Sequence, residues 1–206
     1  MKVLMINGSS RENGCTYTAL KEVATTLQAA GIETEIVQLG KGAIRDCVGC
    51  GACRKIGKCV FDDDIINEII EKAAYADGFV FGSPVYYAHP SGRIISFLDR
   101  LFYAGNKNFA FKPAAAVVSA RRAGTTASFD VLNKYFTITN MPVVSSNYWN
   151  MVHGNTPDEV RQDLEGLQVM RNLANNMAWL LKCIELGKNA GIEPKIEEKV
   201  RTNFIR

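Results

Sequence analysis

Residues 2–7, KVLMIN, run straight into residues 8–16, GSSRENGCT. A short apolar run of strand type breaks into a loop of glycines, small hydroxyls, one Arg and one Asn, and a helical pattern follows at once. A strand–loop–helix of this composition suits a phosphate. Backbone N–H groups at a helix start point outward, and the helix dipole favours negative charge there. Ser9, Ser10 and Thr16 add hydroxyl donors, and Arg11 adds a charged fork. The loop has no Lys after a second glycine, so nucleoside triphosphate hydrolysis is not indicated, and it is not GxGxxG either. The plain alternative is a βα turn that is merely polar.

The rest of the chain repeats the pattern. A helix is expected over 16–30, with Leu20, Val23, Leu27 and Ala30 on one face and Gly31 closing it. A second strand, 32–39, leads into a Gly- and Cys-rich loop ending at Cys59. Asp62, Asp63 or Asp64 can cap a helix carrying Ile65, Ile66, Ile69, Ile70 and Ala73. Further strands are expected at 78–82, 114–119 and 142–148. Pro90 opens a helix with Ile94, Leu98 and Leu101, another helix covers 125–139, and a last one starts near Pro157. The alternation predicts an α/β fold: a parallel sheet with helices on both faces, in one domain over residues 1–186, with 187–206 as a charged tail. Ligands in such sheets bind at the carboxyl ends of the strands. The loops after strands one, three and four therefore converge: GSSRENGCT, SPVYYAHPSG (83–92) and SARRAGTT (119–126). Phosphate ligands, an aromatic wall and polar loop donors together suit a mononucleotide with a large planar ring, as FMN has.

Composition narrows the setting. The chain has 206 residues, 47% of them hydrophobic, and a formal net charge of +3 with no basic stripe, which argues against nucleic acid. No apolar run reaches membrane-span length and no signal-peptide layout opens the chain, so a cytoplasmic protein is expected. There, six cysteines suggest metal or redox chemistry before disulfides. Cys47, Cys50, Cys53 and Cys59 follow a C-x2-C-x2-C-x5-C spacing. Four thiolates wrapped this tightly suit a 4Fe-4S cluster. Zinc matches by ligand type, although its sites usually separate two C-x2-C pairs, and a metal-free loop of thiols is the third alternative. The sulfurs are expected to turn toward one point near the flavin site, with Gly49 and Gly51 bending the backbone and Lys55 and Lys58 offsetting the charge. Cys183 is expected in the core.

With these residues in hand, the sequence resembles the flavodoxin-like NAD(P)H-dependent FMN reductases, through GSSRENGCT, SPVYYAHPSG and the Asp-Arg of FLDRLF (97–102). The cysteine run followed by Asp62, Asp63 and Asp64 is similar to the archaeal-type iron–sulfur flavoproteins of that group. The resemblance implies a flavodoxin-like three-layer sandwich, a five-stranded sheet of order 2-1-3-4-5, FMN, and a dimer or tetramer. Carried over by position, it places Ser9, Arg11, Asn13, Cys15 and Thr16 around the FMN phosphate. Pro84, Val85, Tyr86 and Tyr87 lie along the ribityl and ring, and Ser119, Arg121, Gly124 and Thr125 approach the polar edge. Tyr86 and Tyr87 can also be packing aromatics. Asp99 and Arg100 are expected to form a structural ion pair. His89 and His153 have no Ser or Cys partner by spacing, so hydrolase chemistry finds no support. The expected function is electron transfer from NADH or NADPH through FMN to an acceptor. The rival is an electron carrier with a four-cysteine cluster, served by a ferredoxin-like partner. Tyr103, Phe109 and Phe111 are the expected apolar patch for self-association.

Overall fold

The computed structural model describes residues 1–202, 204 and 205; Asn203 and Arg206, part of the expected tail, lie outside the described residues. The strands are β1 (Lys2–Asn7), β2 (Glu33–Gln38), β3 (Gly78–Tyr86), β4 (His89–Pro90), β5 (Ala114–Ala120) and β6 (Met151–His153). The helices are α1 (Cys15–Ala29), α2 (Cys53–Ile56), α3 (Ile66–Ala74), α4 (Gly92–Gly105), α5 (Thr125–Ile138), α6 (Pro157–Gln162) and α7 (Leu164–Asn189). The sheet runs β2-β1-β3-β5-β6 with every neighbour parallel, and β4 turns back antiparallel on the end of β3. Counting the parallel strands alone, this is the expected flavodoxin-like order.

Strand geometry sends successive side chains to opposite faces, and here both faces are covered. Val3, Met5, Val80 and Val117 meet Leu20, Val23 and Leu27 of α1 and Leu173 and Met177 of α7. Leu4, Ile6, Phe79 and Phe81 meet Ile69 of α3, Phe97 and Leu101 of α4 and Phe136 of α5. The result is three layers. Burial of one such large apolar side chain contributes about 1.5–3 kcal/mol.

Where loop one leaves the sheet, the packing leaves no room for a side chain. A Cβ on Gly8 would lie 2.8 Å from the Gly82 carbonyl and 2.9 Å from Ile94. The Gly8 N–H donates to that carbonyl at 2.8 Å, and Ser91 at the head of α4 donates its hydroxyl to the Gly8 carbonyl at 3.0 Å. Loops one and two are thus locked together at their bases.

Several expected boundaries shift for local reasons. β3 continues to Tyr86 and forms a hairpin with Pro90, so Pro90 precedes the helix and Ser91 caps it, accepting from the Ile94 N–H at 3.4 Å. The stretch 142–148 gives only a bridge between Val143 and Ala114, and the last strand is Met151–His153. Buried Asn150 explains the delay: its side chain occupies the Ala116 carbonyl at 3.0 Å, and pairing with β5 resumes beyond it. The last helix breaks at Asp163, which caps α7 by accepting from the Gly166 N–H at 2.9 Å. α7 then runs to Asn189, so the stretch without helix or strand starts later than the expected 187. Cys183 is exposed on it rather than in the core. Phe109 is also misplaced by the sequence reading. It is fully buried, 4.8 Å from the Phe79 ring and 4.6 Å from Phe102, which leaves Tyr103 exposed and Phe111 half-buried. Among the described residues, no helix is long and apolar enough to cross a membrane.

Candidate functional site

The carboxyl ends of β1, β3 and β5 meet around a cavity of about 200 Å³. Ser9, Arg11, Cys15 and Thr16 line it from loop one, Pro84, Val85 and Tyr86 from loop two, and Ser119 and Arg121 from loop three. Ala120, Gly154 and Asn155 complete the wall. α1 starts here at Gly14 with no side-chain cap and no acidic residue in its first turn, so no cap or carboxylate of its own meets its first N–H groups. That is the arrangement an anion fills. Inside the cavity, buried Thr16 and Ser119 share a hydrogen bond, Oγ1 to Oγ, at 2.8 Å, tying loop one to loop three.

Two residues that the sequence reading missed hold loop one in shape. Asn7 is fully buried at the end of β1. It donates to Gln38 Oε1 at 2.5 Å and to the Glu12 carbonyl at 3.1 Å, and accepts from the Ser9 N–H at 3.2 Å. Gln38 of β2 donates to the Ser9 carbonyl at 2.6 Å. Ser9 Oγ in turn accepts from the Arg11 N–H at 3.1 Å, which sets where the guanidinium leaves the loop. A buried Asn at the last position of a first strand is the signal that could have been read.

Ser10, Asn13, Tyr87, Gly124 and Thr125, also expected here, stand apart from the cavity wall. Ser10 shares a hydrogen bond with the Tyr86 hydroxyl at 2.9 Å on the rim. Asn13 lies in a separate polar groove beside Tyr17 and Lys21. Tyr87 sits at the hairpin tip with φ +63° and a fully exposed side chain. Gly124 backs loop two, since a Cβ there would come within 2.8 Å of Val85 Cγ1, and Thr125 is buried at the start of α5. Cys15 donates its thiol to the Gly154 carbonyl at 3.6 Å, and burial pushes its pKa up, so it is a neutral wall residue.

The other four cysteines face a second cavity of about 410 Å³, shared with Val48, Phe61, Asp99, Arg100 and Tyr103. It has no lining residue in common with the first. Gly49 and Gly51 adopt φ of +67° and +68°, the left-handed turns that let the loop fold around it. Among the described residues, no three His, Cys, Asp or Glu side chains are grouped to hold a single metal ion. The expected common point is therefore not formed, and a shared cavity is. The lining does carry four thiols, the donor type an iron–sulfur cluster takes.

Asp99 and Arg100 do not form the expected ion pair; Arg100 pairs with Asp64. Adjacent helix residues do not face each other. Asp99 accepts from the Tyr135 hydroxyl at 2.5 Å, and burial foremost raises the Tyr135 pKa. Arg100 is 2% exposed and reaches the cysteine loop instead. It pairs with Asp64 and donates from Nε and Nη2 to Cys59 Sγ at 3.3 and 3.2 Å. Burial opposes its charge, but the contacts with Asp64 and Cys59 prevail and hold it protonated above its usual range. The charge nearest Cys59 is therefore Arg100, not Lys55 or Lys58.

A three-layer α/β sandwich with this strand order and a loop cavity at its carboxyl edge defines a flavodoxin-like protein. Two solved structures share the fold: RosB with bound 8-demethyl-8-formylriboflavin-5′-phosphate (TM-score 0.67, 16% identity, 100% of this chain and 92% of that one) and a flavodoxin from the domain Archaea (TM-score 0.61, 14% identity, 88% and 99%). An iron–sulfur flavoprotein of Methanocaldococcus jannaschii is 33% identical over 196 residues, covering 90% of this chain and all of its own. Residues 1–156 match the NADPH-dependent FMN reductases, and the chain belongs to that family. It is an FMN-dependent oxidoreductase.

Proposed function

We propose that FMN sits with its phosphate on loop one and that electrons from NADH or NADPH leave through it to an acceptor. The convergence of three loops on one cavity at an uncapped helix start carries this reading. Bound FMN supplies hydride acceptance and one- or two-electron release. The chain's residues supply binding and orientation. Ser9, Arg11 and Thr16 hold the phosphate, Pro84 to Tyr86 flank the ribityl and ring, and Ser119 and Arg121 donate at the polar edge. No side chain is assigned a proton-transfer role.

A cavity of about 200 Å³ is smaller than the roughly 300–1,000 Å³ usual for such ligands. A bound ring would therefore need cover beyond the cavity wall, where the exposed Tyr86 and Tyr87 stand. We assign its outer cover to a second copy of the chain, in a dimer or tetramer. Sedimentation of the FMN-loaded protein should give an oligomer at micromolar concentration; a monomer with full flavin would contradict this assignment.

A second reading is favoured by the four cysteines around one cavity. A 4Fe-4S cluster there, bound by Cys47, Cys50, Cys53 and Cys59, would make the chain a carrier served by a ferredoxin-like protein. Anaerobically prepared protein separates the two. Flavin bands alone, with steady NADH or NADPH oxidation, support the reductase. Flavin with iron and sulfide near four each per chain, and slow nicotinamide oxidation, supports the carrier. Protein that binds no FMN overturns both.

A further inference from the structure

Cys59 is unlike the other three cysteines of its cavity. Buried Asn67 of α3 accepts from its N–H at 2.9 Å and donates to its carbonyl at 3.0 Å. Arg100 of α4 donates twice to its sulfur, at 3.3 and 3.2 Å. The same guanidinium also reaches the Arg45 carbonyl at 3.2 Å and the Phe61 carbonyl at 3.3 Å, and pairs with Asp64. One buried fork thus fixes both the segment 59–64 and the sulfur in its middle. Both helices are anchored in the core layer, through Ile69 and Ile70 of α3 and Phe97 and Leu101 of α4. Cys50, by contrast, is exposed.

We propose that Arg100 is the positioning residue of the cysteine cavity: it holds Cys59 as the fixed corner of the four-iron site and, by donating to its sulfur, raises that site's reduction potential. This rests on the cluster reading of the cavity. The physical reason is charge. Reduction adds one electron, and so one negative charge, to a cage already built of four thiolates. Hydrogen bonds to the sulfurs are among the groups that set iron–sulfur potentials. A buried guanidinium beside one sulfur favours the reduced form, and Asp64 partly neutralises that guanidinium.

Anaerobically reconstituted full-length protein is titrated with dithionite, and the reduced cluster is read by electron paramagnetic resonance. Arg100→Gln should lower the midpoint potential, with the reduced-to-oxidised ratio at fixed poise falling about threefold to tenfold; tenfold corresponds to about 59 mV for one electron. Arg100→Lys keeps the charge but not the fork, so it should shift the same way by less, and it serves if the Gln variant does not fold. Asp64→Asn should shift the potential upward, because Arg100 loses its counter-charge and keeps its sulfur contact. A purely structural role would lower iron content in all three variants without opposite shifts. Iron-loaded variants with the wild-type potential would overturn the role of Arg100 and leave the cluster standing. Wild-type protein free of iron would overturn both.

Discussion

Arg11→Ala combined with Thr16→Val should weaken FMN binding by about two orders of magnitude. A charge-assisted contact is worth about 1.5–3 kcal/mol and a neutral hydroxyl contact about 0.5–1.5 kcal/mol, and each 1.4 kcal/mol is tenfold. Arg11 is exposed on the cavity wall, so its removal should leave folding unchanged and report on binding alone. Thr16→Val keeps the shape but leaves buried Ser119 without its 2.8 Å partner, a cost of about 1 kcal/mol that a thermal melt can separate from binding. Fluorescence titration of the apoprotein measures the affinity. An unchanged affinity in the double variant would remove loop one from the FMN site.

Cys59→Ser should bring iron and sulfide in anaerobic protein to background while FMN stays bound at the wild-type stoichiometry. The second half follows from the two cavities having no common lining residue. The first follows from Cys59 being held, among the four cavity cysteines, from both its backbone and its sulfur. Cys50→Ser, at an exposed position, should also lower iron but to a smaller extent. If Cys59→Ser retained full iron, the cage would have to be built without it, and Arg100 would have no sulfur to act on.

The parts of this molecule that follow local rules are legible in its sequence. KVLMIN is buried on both faces, and its apolar run says so directly. The three loops were named because parallel strands deliver them to one edge, and nine of the fourteen expected cofactor residues line that cavity: Ser9, Arg11, Cys15, Thr16, Pro84, Val85, Tyr86, Ser119 and Arg121. What failed was set by tertiary contact. β6 is three residues long, too short to show a period, and Pro142–Tyr148 looked more strand-like than the stretch that pairs. Asn13 was grouped with its loop neighbours, but the turn into α1 sends it to the other side, beside Tyr17 and Lys21. Arg100 was paired with its sequence neighbour. Its real partners, Cys59 and Asp64, lie 41 and 36 residues away, and no pattern within one helix reveals them.

On the proposed reading, this chain captures FMN by its phosphate on loop one. The most direct measurement is the affinity of the apoprotein for FMN against riboflavin, which has the same ring and no phosphate. Phosphate capture predicts that riboflavin binds at least a hundredfold more weakly, and that Arg11→Ala weakens FMN binding about tenfold or more while leaving riboflavin binding unchanged. Equal affinities for the two flavins in the wild-type protein would contradict it.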